Sequence, residues 1–128
     1  MSIYIDADVF VAWEKGEFDL IAWLEKRSNE PVGFPPTVWQ QLMFGTFAWE
    51  PARAQRRQRH LKEFGARVSI FSRKHAERAA RIAADLKKSP IGFADCQIAA
   101  CALEDHAELL TFNTEHFNRV PGLSLASL

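Results

Sequence analysis

The feature that most constrains this chain is a repeated alternation. Short β-prone apolar runs are separated by helical stretches with an apolar stripe. The runs are Ser2–Ile5, Val32–Phe34, Arg67–Phe71, Leu109–Phe112 and Leu123–Leu125. Between them the period changes from two residues to about 3.6. Val9–Trp13 starts a helix that Gly16 interrupts, and Asp19 can cap a second one over Asp19–Arg27. Pro35 and Pro36 stop the second strand. Thr37 then opens a helix through Val38, Leu42 and Met43 that Gly45 is expected to close. Pro51–Phe64 is a basic helix ending at Gly65, and Ser72–Lys88 carries an alanine-rich stripe. Pro90 and Gly92 break the chain before a small-residue helix, Phe93–Leu103. Strands joined through helices pair in parallel, because a parallel partner needs a crossover. The expectation is therefore an α/β fold of three layers, with a parallel four- or five-stranded sheet flanked by helices.

The chain has 128 residues, the length of one domain, and residues 1–128 are read as such. There is no run of about 18 apolar residues, so no membrane span is expected, nor a secretory leader at Met1–Asp6. Cys96 and Cys101 are five apart on one predicted helix, where they cannot face each other, and no Cys/His pair accompanies them. Buried free thiols in a reducing cytoplasm follow. The formal net charge is zero, but its distribution is uneven. Arg53 to Lys88 holds twelve Lys/Arg against three acids, a surplus of nine. The rest of the chain has four basic residues against thirteen acids, a deficit of nine. This is either a phosphate-facing flank beside an acidic site or a pair of solvated helices.

The acids carry the chemistry. Asp6 and Asp8 follow the first strand at its carboxyl end, where open parallel sheets bind ligands. Asp95 shares a helix face with Ile98, Ala99 and Ala102, so it points toward the domain body. Asn113 ends the strand Leu109–Phe112, again at a carboxyl end. Oxygen donors from separate strand and helix ends are what a partly hydrated Mg²⁺ or Mn²⁺ requires. Each has a plainer use: Asp6 or Asp8 as a helix cap, Asp95 as a first-turn acid, Asn113 as a turn residue. Their joint placement at one sheet edge favours the metal. His60, His75, His106 and His116 show no ligand spacing. Trp13, Trp23, Trp39 and Trp49 are read as core or partner surface rather than base-stacking platforms.

Three segments together resemble the PIN-domain ribonucleases of the VapC toxin type. Ile5-Asp6-Ala7-Asp8-Val9 resembles the family's opening, in which an Asp follows the first strand. Asp95-Cys96-Gln97-Ile98-Ala99-Ala100 looks like its central D-x-x-I-A-A helix. Leu109 to Phe117, then Val120-Pro121-Gly122-Leu123, is similar to the ending L-x-T-x-N-x-x-H-F…V-P-G-L. The resemblance implies a Mg²⁺ (or Mn²⁺) site, endoribonuclease activity on tRNA, rRNA or mRNA, a homodimer, and a VapB-type antitoxin partner. Mapped on this sequence, Asp6 and Asp95 hold the ion and the catalytic set is Asp6, Gln41, Asp95 and Asn113, with Asp8 and Thr111 assisting. Arg53, Arg56, Arg57, Arg59 and Lys62 would grip RNA.

One position departs from the pattern. Where the family usually carries Glu in E-L-x-x-G, this chain has Gln41-Leu42-Met43-Phe44-Gly45. The amide keeps the shape and loses the charge. It leaves open a weakened or specialised nuclease, a deliberately inactivated form, or a non-catalytic module that binds RNA or antitoxin. Asp6-Ala7-Asp8-Val9 also resembles the D-x-D-x-[TV] motif of haloacid-dehalogenase-type phosphatases, with Thr37 as a second-motif hydroxyl, though no matching Lys and acidic pair follows.

Overall fold

Strand β1, Ser2–Ile5, is the middle of the sheet. Ile3 and Ile5 are fully buried and Tyr4 nearly so, which explains why the run is apolar on both faces instead of alternating. In this computed structural model, which describes residues 1–27, 29–65 and 67–128, β1 pairs in parallel with two neighbours. On one side is β2, Val32–Gly33, with Ile3 opposite Val32 and Tyr4 opposite Gly33. On the other is β3, Ala107–Leu110, in register from Ser2–Ala107 to Ile5–Leu110.

The two outermost expected strands shrink to one parallel bridge each, Phe34 with Val68 and Leu109 with Leu125. Their ladder bonds remain: Ser69 N–H donates to the Phe34 carbonyl at 2.9 Å, and Ala126 N–H to the Leu109 carbonyl at 2.9 Å. The sheet thus has three regular strands, order β2-β1-β3, with a single rung beyond each edge. Pro35 is the cause on one side. It has no N–H to continue the ladder past Phe34, and Val68 and Ile70 are left exposed.

Seven helices flank this sheet among the described residues. Helix α1, Ala7–Glu14, starts two residues earlier than its apolar pattern suggests, because Asp6 caps it and accepts the Ala7 N–H at 2.8 Å. The short α2 covers Leu20–Glu25 behind its Asp19 cap. Helix α3, Pro36–Ala48, does not stop at Gly45. A Cβ there would stand 2.7 Å from the Trp49 indole, so this glycine serves close packing and not termination. Pro51 sets the end instead, holding Glu50 extended. Helix α4, Pro51–Phe64, ends at Gly65 with φ of 66°, as its sequence demands. Helix α5, Arg73–Asp85, begins at a Ser72–His75 capping box and packs mainly on α6, Phe93–Glu104. A last short helix, α7, Thr114–Phe117, is too brief to show a period. Cys96 and Cys101 are buried free thiols in α6, as expected. No described helix is long and apolar enough to cross a membrane.

Candidate functional site

The carboxyl edge of the sheet gathers the acids. Asp6 follows β1 directly, and its N–H donates to the Leu110 carbonyl at 2.9 Å, which locks the end of β1 to the end of β3. Only 7% of Asp6 is exposed. One carboxylate oxygen takes the Ala7 N–H, and the other takes the hydroxyl of buried Thr111 at 2.8 Å. The Thr111 hydroxyl oxygen in turn accepts the Asn113 N–H at 3.0 Å. Asp8, in the first turn of α1, accepts the Phe112 N–H at 3.2 Å through Oδ2, while its Oδ1 is buried and has no partner.

Asp95 comes from the first turn of α6. Its Oδ2 lies 3.0 Å from His116 Nδ1, and that nitrogen lies 3.0 Å from Asn113 Nδ2. With its proton on Nδ1 the ring donates to Asp95; without it, the ring accepts from the Asn113 amide. A continuous polar path therefore runs Asp6–Thr111–Asn113–His116–Asp95. Sequence reading placed Asp6, Asp8, Asp95, Thr111 and Asn113 at this edge. It gave His116 no role, although that residue is the histidine of the N-x-x-H-F tail, three positions after Asn113.

The electrostatics follow from burial. Desolvation lifts the Asp6 carboxyl from its usual 3.8 to about 6, with the Asp8 and Asp95 charges adding to the lift and the Thr111 and Ala7 hydrogen bonds opposing it. Asp8 is also raised, chiefly by burial and further by Asp95. The Asp8 and Asp95 charges thus bear on Asp6, and the Asp95 charge on Asp8, at a partly buried edge. A cation would relieve that repulsion at Asp6 and Asp8, and the partnerless Asp8 oxygen is the kind of orphan that an ion or its water satisfies. Among the described residues no three His, Cys, Asp or Glu side chains close into a protein-only cage. The donor set suits a hydrated hard cation held by one or two carboxylates.

Gln41 stands apart from this network. It is exposed on α3 and lines a groove of about 670 Å³ that also takes in Phe44, Phe47 and Ala94, the residue before Asp95. The Thr37 hydroxyl donates to Gln97 Oε1 at 2.8 Å and ties α3 to α6 across the groove floor. None of the hydrogen bonds among the described residues joins Gln41 to Asp6, Asp8 or Asp95.

The basic helix α4 needs one correction. Arg57, grouped by sequence with the RNA-gripping residues, is 4% exposed. Its guanidinium makes a bidentate ion pair with Glu14 and donates to the Leu42 carbonyl at 2.7 Å. It falls on the inward face of an amphipathic helix and works as a fold residue. Arg53, Arg56, Arg59 and Lys62 remain on the solvent side. The Trp49 ring is half-buried and already faces two guanidinium groups, Arg53 at 3.6 Å and Arg57 at 4.6 Å from the centroid.

A parallel sheet with acids at its carboxyl edge and helices around it defines an α/β domain with a candidate cation site. The PIN-domain family model matches residues 3–123, and the chain belongs to the PIN-domain family, whose members are typically nucleases that use divalent metal ions. That match covers the segment in which the phosphatase alternative was weighed and replaces it. The fold is also that of several solved complexes. VapBC2 from Rickettsia felis, bound to a DNA fragment from its promoter, superposes with a TM-score of 0.87 at 22% identity, covering 100% of this chain and 99% of that one. VapBC-1 from nontypeable Haemophilus influenzae gives 0.84 at 24% identity over 99% and 98%. DNA-bound VapBC from Salmonella typhimurium gives 0.85 at 19% identity over 98% and 97%. A comparison with curated proteins finds no match.

Proposed function

We propose that this protein is a VapC-type toxin, an endoribonuclease dependent on Mg²⁺ or Mn²⁺, acting in the cytoplasm within a type II toxin–antitoxin system. The observation that carries the reading is the cation-hungry edge: burial and the neighbouring Asp95 charge make both Asp6 and Asp8 costly to ionise, Asp8 adds to the cost at Asp6, and one Asp8 oxygen has no partner. Asp6 and Asp95 would hold the ion, which when bound supplies an acidified water and offsets charge on the scissile phosphate.

The chain's own residues do the rest. Thr111 fixes the Asp6 carboxylate from below, leaving its orientation no freedom. Asn113 and His116 orient Asp95 in the same way. Asp8, whose Oδ2 is tied to the Phe112 N–H, adds its negative charge beside the ion. Gln41, facing the neighbouring groove, can offer an amide oxygen but neither balances a cation nor takes a proton. Arg53, Arg56, Arg59 and Lys62 would hold flanking phosphates.

The partner reading rests on the groove beside the site. Phe44 is 65% exposed and Phe47 82%, on the helix face next to Ala94. Such side chains fit the cover of a VapB-type antitoxin segment or a second copy of the chain, in keeping with neighbours that are themselves VapBC complexes. The test is cleavage of structured RNA by the purified chain with Mn²⁺ or Mg²⁺, with EDTA, and with Asp95→Asn. Cleavage that needs the ion and is lost in the variant supports the reading. Cleavage unaffected by EDTA or by Asp95→Asn overturns it. RNA binding with no cleavage under any ion assigns the chain instead to the non-catalytic class that Gln41 leaves open.

A further inference from the structure

A second site lies at the opposite end of α1. Asp6 and Asp8 stand at its N-terminal end, and Glu14 and Lys15 at its C-terminal end. There, a cavity of about 240 Å³ opens between α1 and α4, lined by Lys15, Arg53, Arg56, Arg57, His60 and Glu14 among others. That volume is roughly eight waters' share of liquid, room for a phosphate group with part of its ribose.

The charge of this cavity is not balanced. Glu14 is its one lining acid, and its two oxygens are spent on Arg57 and on His60 Nδ1 at 2.9 Å. Among the described residues Lys15, Arg53 and Arg56 form no ion pair, so three positive charges face the opening. Glu50, at the start of α4, has both oxygens engaged by the Ala52 and Arg53 N–H groups. The wall is held in place: Arg57 is buried and triply bonded, and the Arg53 guanidinium carbon sits 3.6 Å from the Trp49 ring centroid. A guanidinium stacked on indole is fixed in place while its N–H edge stays free to donate to an anion. The indole itself is covered, so the cavity offers charge and no stacking platform.

We infer that this cavity binds one phosphodiester of the RNA strand whose scissile bond lies at the acidic edge. The inference rests on the nuclease reading above. From Asp8 to Lys15 the helix advances seven residues, about 10 Å along its axis. The occupied phosphate is then one of the next few along the same strand from the cut. Helix α1 is then the ruler between an acidic end, which needs a cation beside the phosphate, and a basic end, which takes the phosphate directly.

The experiment uses the full chain and a short single-stranded RNA oligonucleotide, bound in EDTA so that nothing is cut. The variant is Lys15→Ala with Arg56→Ala; both side chains are off the Glu14–Arg57 pair, and an unchanged melting curve verifies the fold. The expected result is several-fold weaker binding and a salt dependence of log K shallower by about 0.7, the value for one single-strand phosphate. Replacing the phosphates near the cut one at a time by uncharged methylphosphonates should reproduce that loss at one position in the unmodified chain and add nothing there in the variant. Lys87→Ala with Lys88→Ala is the control for general charge. An unchanged slope in the Lys15/Arg56 variant, or an equal change in the control, overturns the inference. So does displacement by inorganic phosphate alone with no effect on RNA, which would make the cavity a free-anion site, or preference for an acidic peptide over RNA. If the unmodified chain binds RNA with this slope yet never cleaves it with Mn²⁺, the nuclease reading fails and the cavity stands. If it cleaves and the slope does not move, the reverse holds.

Discussion

Replacing Asp6 by Asn should make the metal-free protein more stable, against the usual outcome for a buried, hydrogen-bonded residue. The fold lifts this carboxyl from 3.8 to about 6, so ionising it costs more in the folded chain than in the unfolded one. At roughly 1.36 kcal/mol for each pH unit, the cost at pH 7.5 is about 3 kcal/mol. It is complete above about pH 6, shrinks as pH falls from 6 toward 3.8, and is absent below that. Asn keeps an oxygen for the Ala7 N–H, but its amide must meet the Thr111 hydroxyl, which already accepts from Asn113. That rearrangement gives back about 1 kcal/mol. A net gain of about 2 kcal/mol remains, which for a domain of this size is about 8 °C in melting temperature. The assay is thermal melting of both forms in EDTA from pH 4 to 8. The gap between them should be widest above pH 7, fall to about a third near pH 5, close near pH 4.5 and reverse below that, where only the rearrangement cost of about 1 kcal/mol remains. With Mg²⁺ or Mn²⁺ it should narrow from the other side, since an ion at a hundred times its Kd stabilises the parent by about 2.7 kcal/mol and the variant by less. If Asp6→Asn melts at or below the parent at pH 7.5 in EDTA, the description of an uncompensated acidic edge is wrong.

Other perturbations separate the remaining roles. Gln41→Glu should tighten Mn²⁺ binding by about 10–100-fold and raise RNA cleavage with the fold unchanged, as read by calorimetry and a cleavage assay; no change in either would place Gln41 outside the site. Arg57→Ala should cost about 1–3 kcal/mol in chemical denaturation, because it leaves the buried Leu42 carbonyl without its donor and the half-buried Glu14 with His60 alone, while Arg59→Ala should cost under about 0.5 kcal/mol. Phe44→Ser with Phe47→Ser should leave melting unchanged and weaken self-association or antitoxin binding in sedimentation; unchanged association would free the groove of that role.

Much of this protein was legible from its residues because several of its signals are local. Strand β1 shows as Ile3-Tyr4-Ile5, helix α4 as Pro51 to Gly65, and the acids as residues at the ends of these elements. A strand's carboxyl end and a helix's first turn are fixed by chain direction alone, so Asp6, Asp8 and Asp95 could be assigned to one edge before any contact was known. What remained hidden depends on neighbours far along the chain. Gly45 reads as a stop, yet Trp49 folds over it and the helix continues. The expected outer strands exist only as single rungs, because pairing at an edge is decided by the partner and not by the run itself. His116 carries no sign of Asp95 in the sequence; α7 brings them together. Arg57 looks like its neighbours Arg56 and Arg59, but helix rotation turns it inward to Glu14, 43 residues away. Sequence determines which groups are charged and which element ends they occupy; only tertiary packing decides which charges are taken out of water, and with that which are spent on holding the fold and which stay free to act.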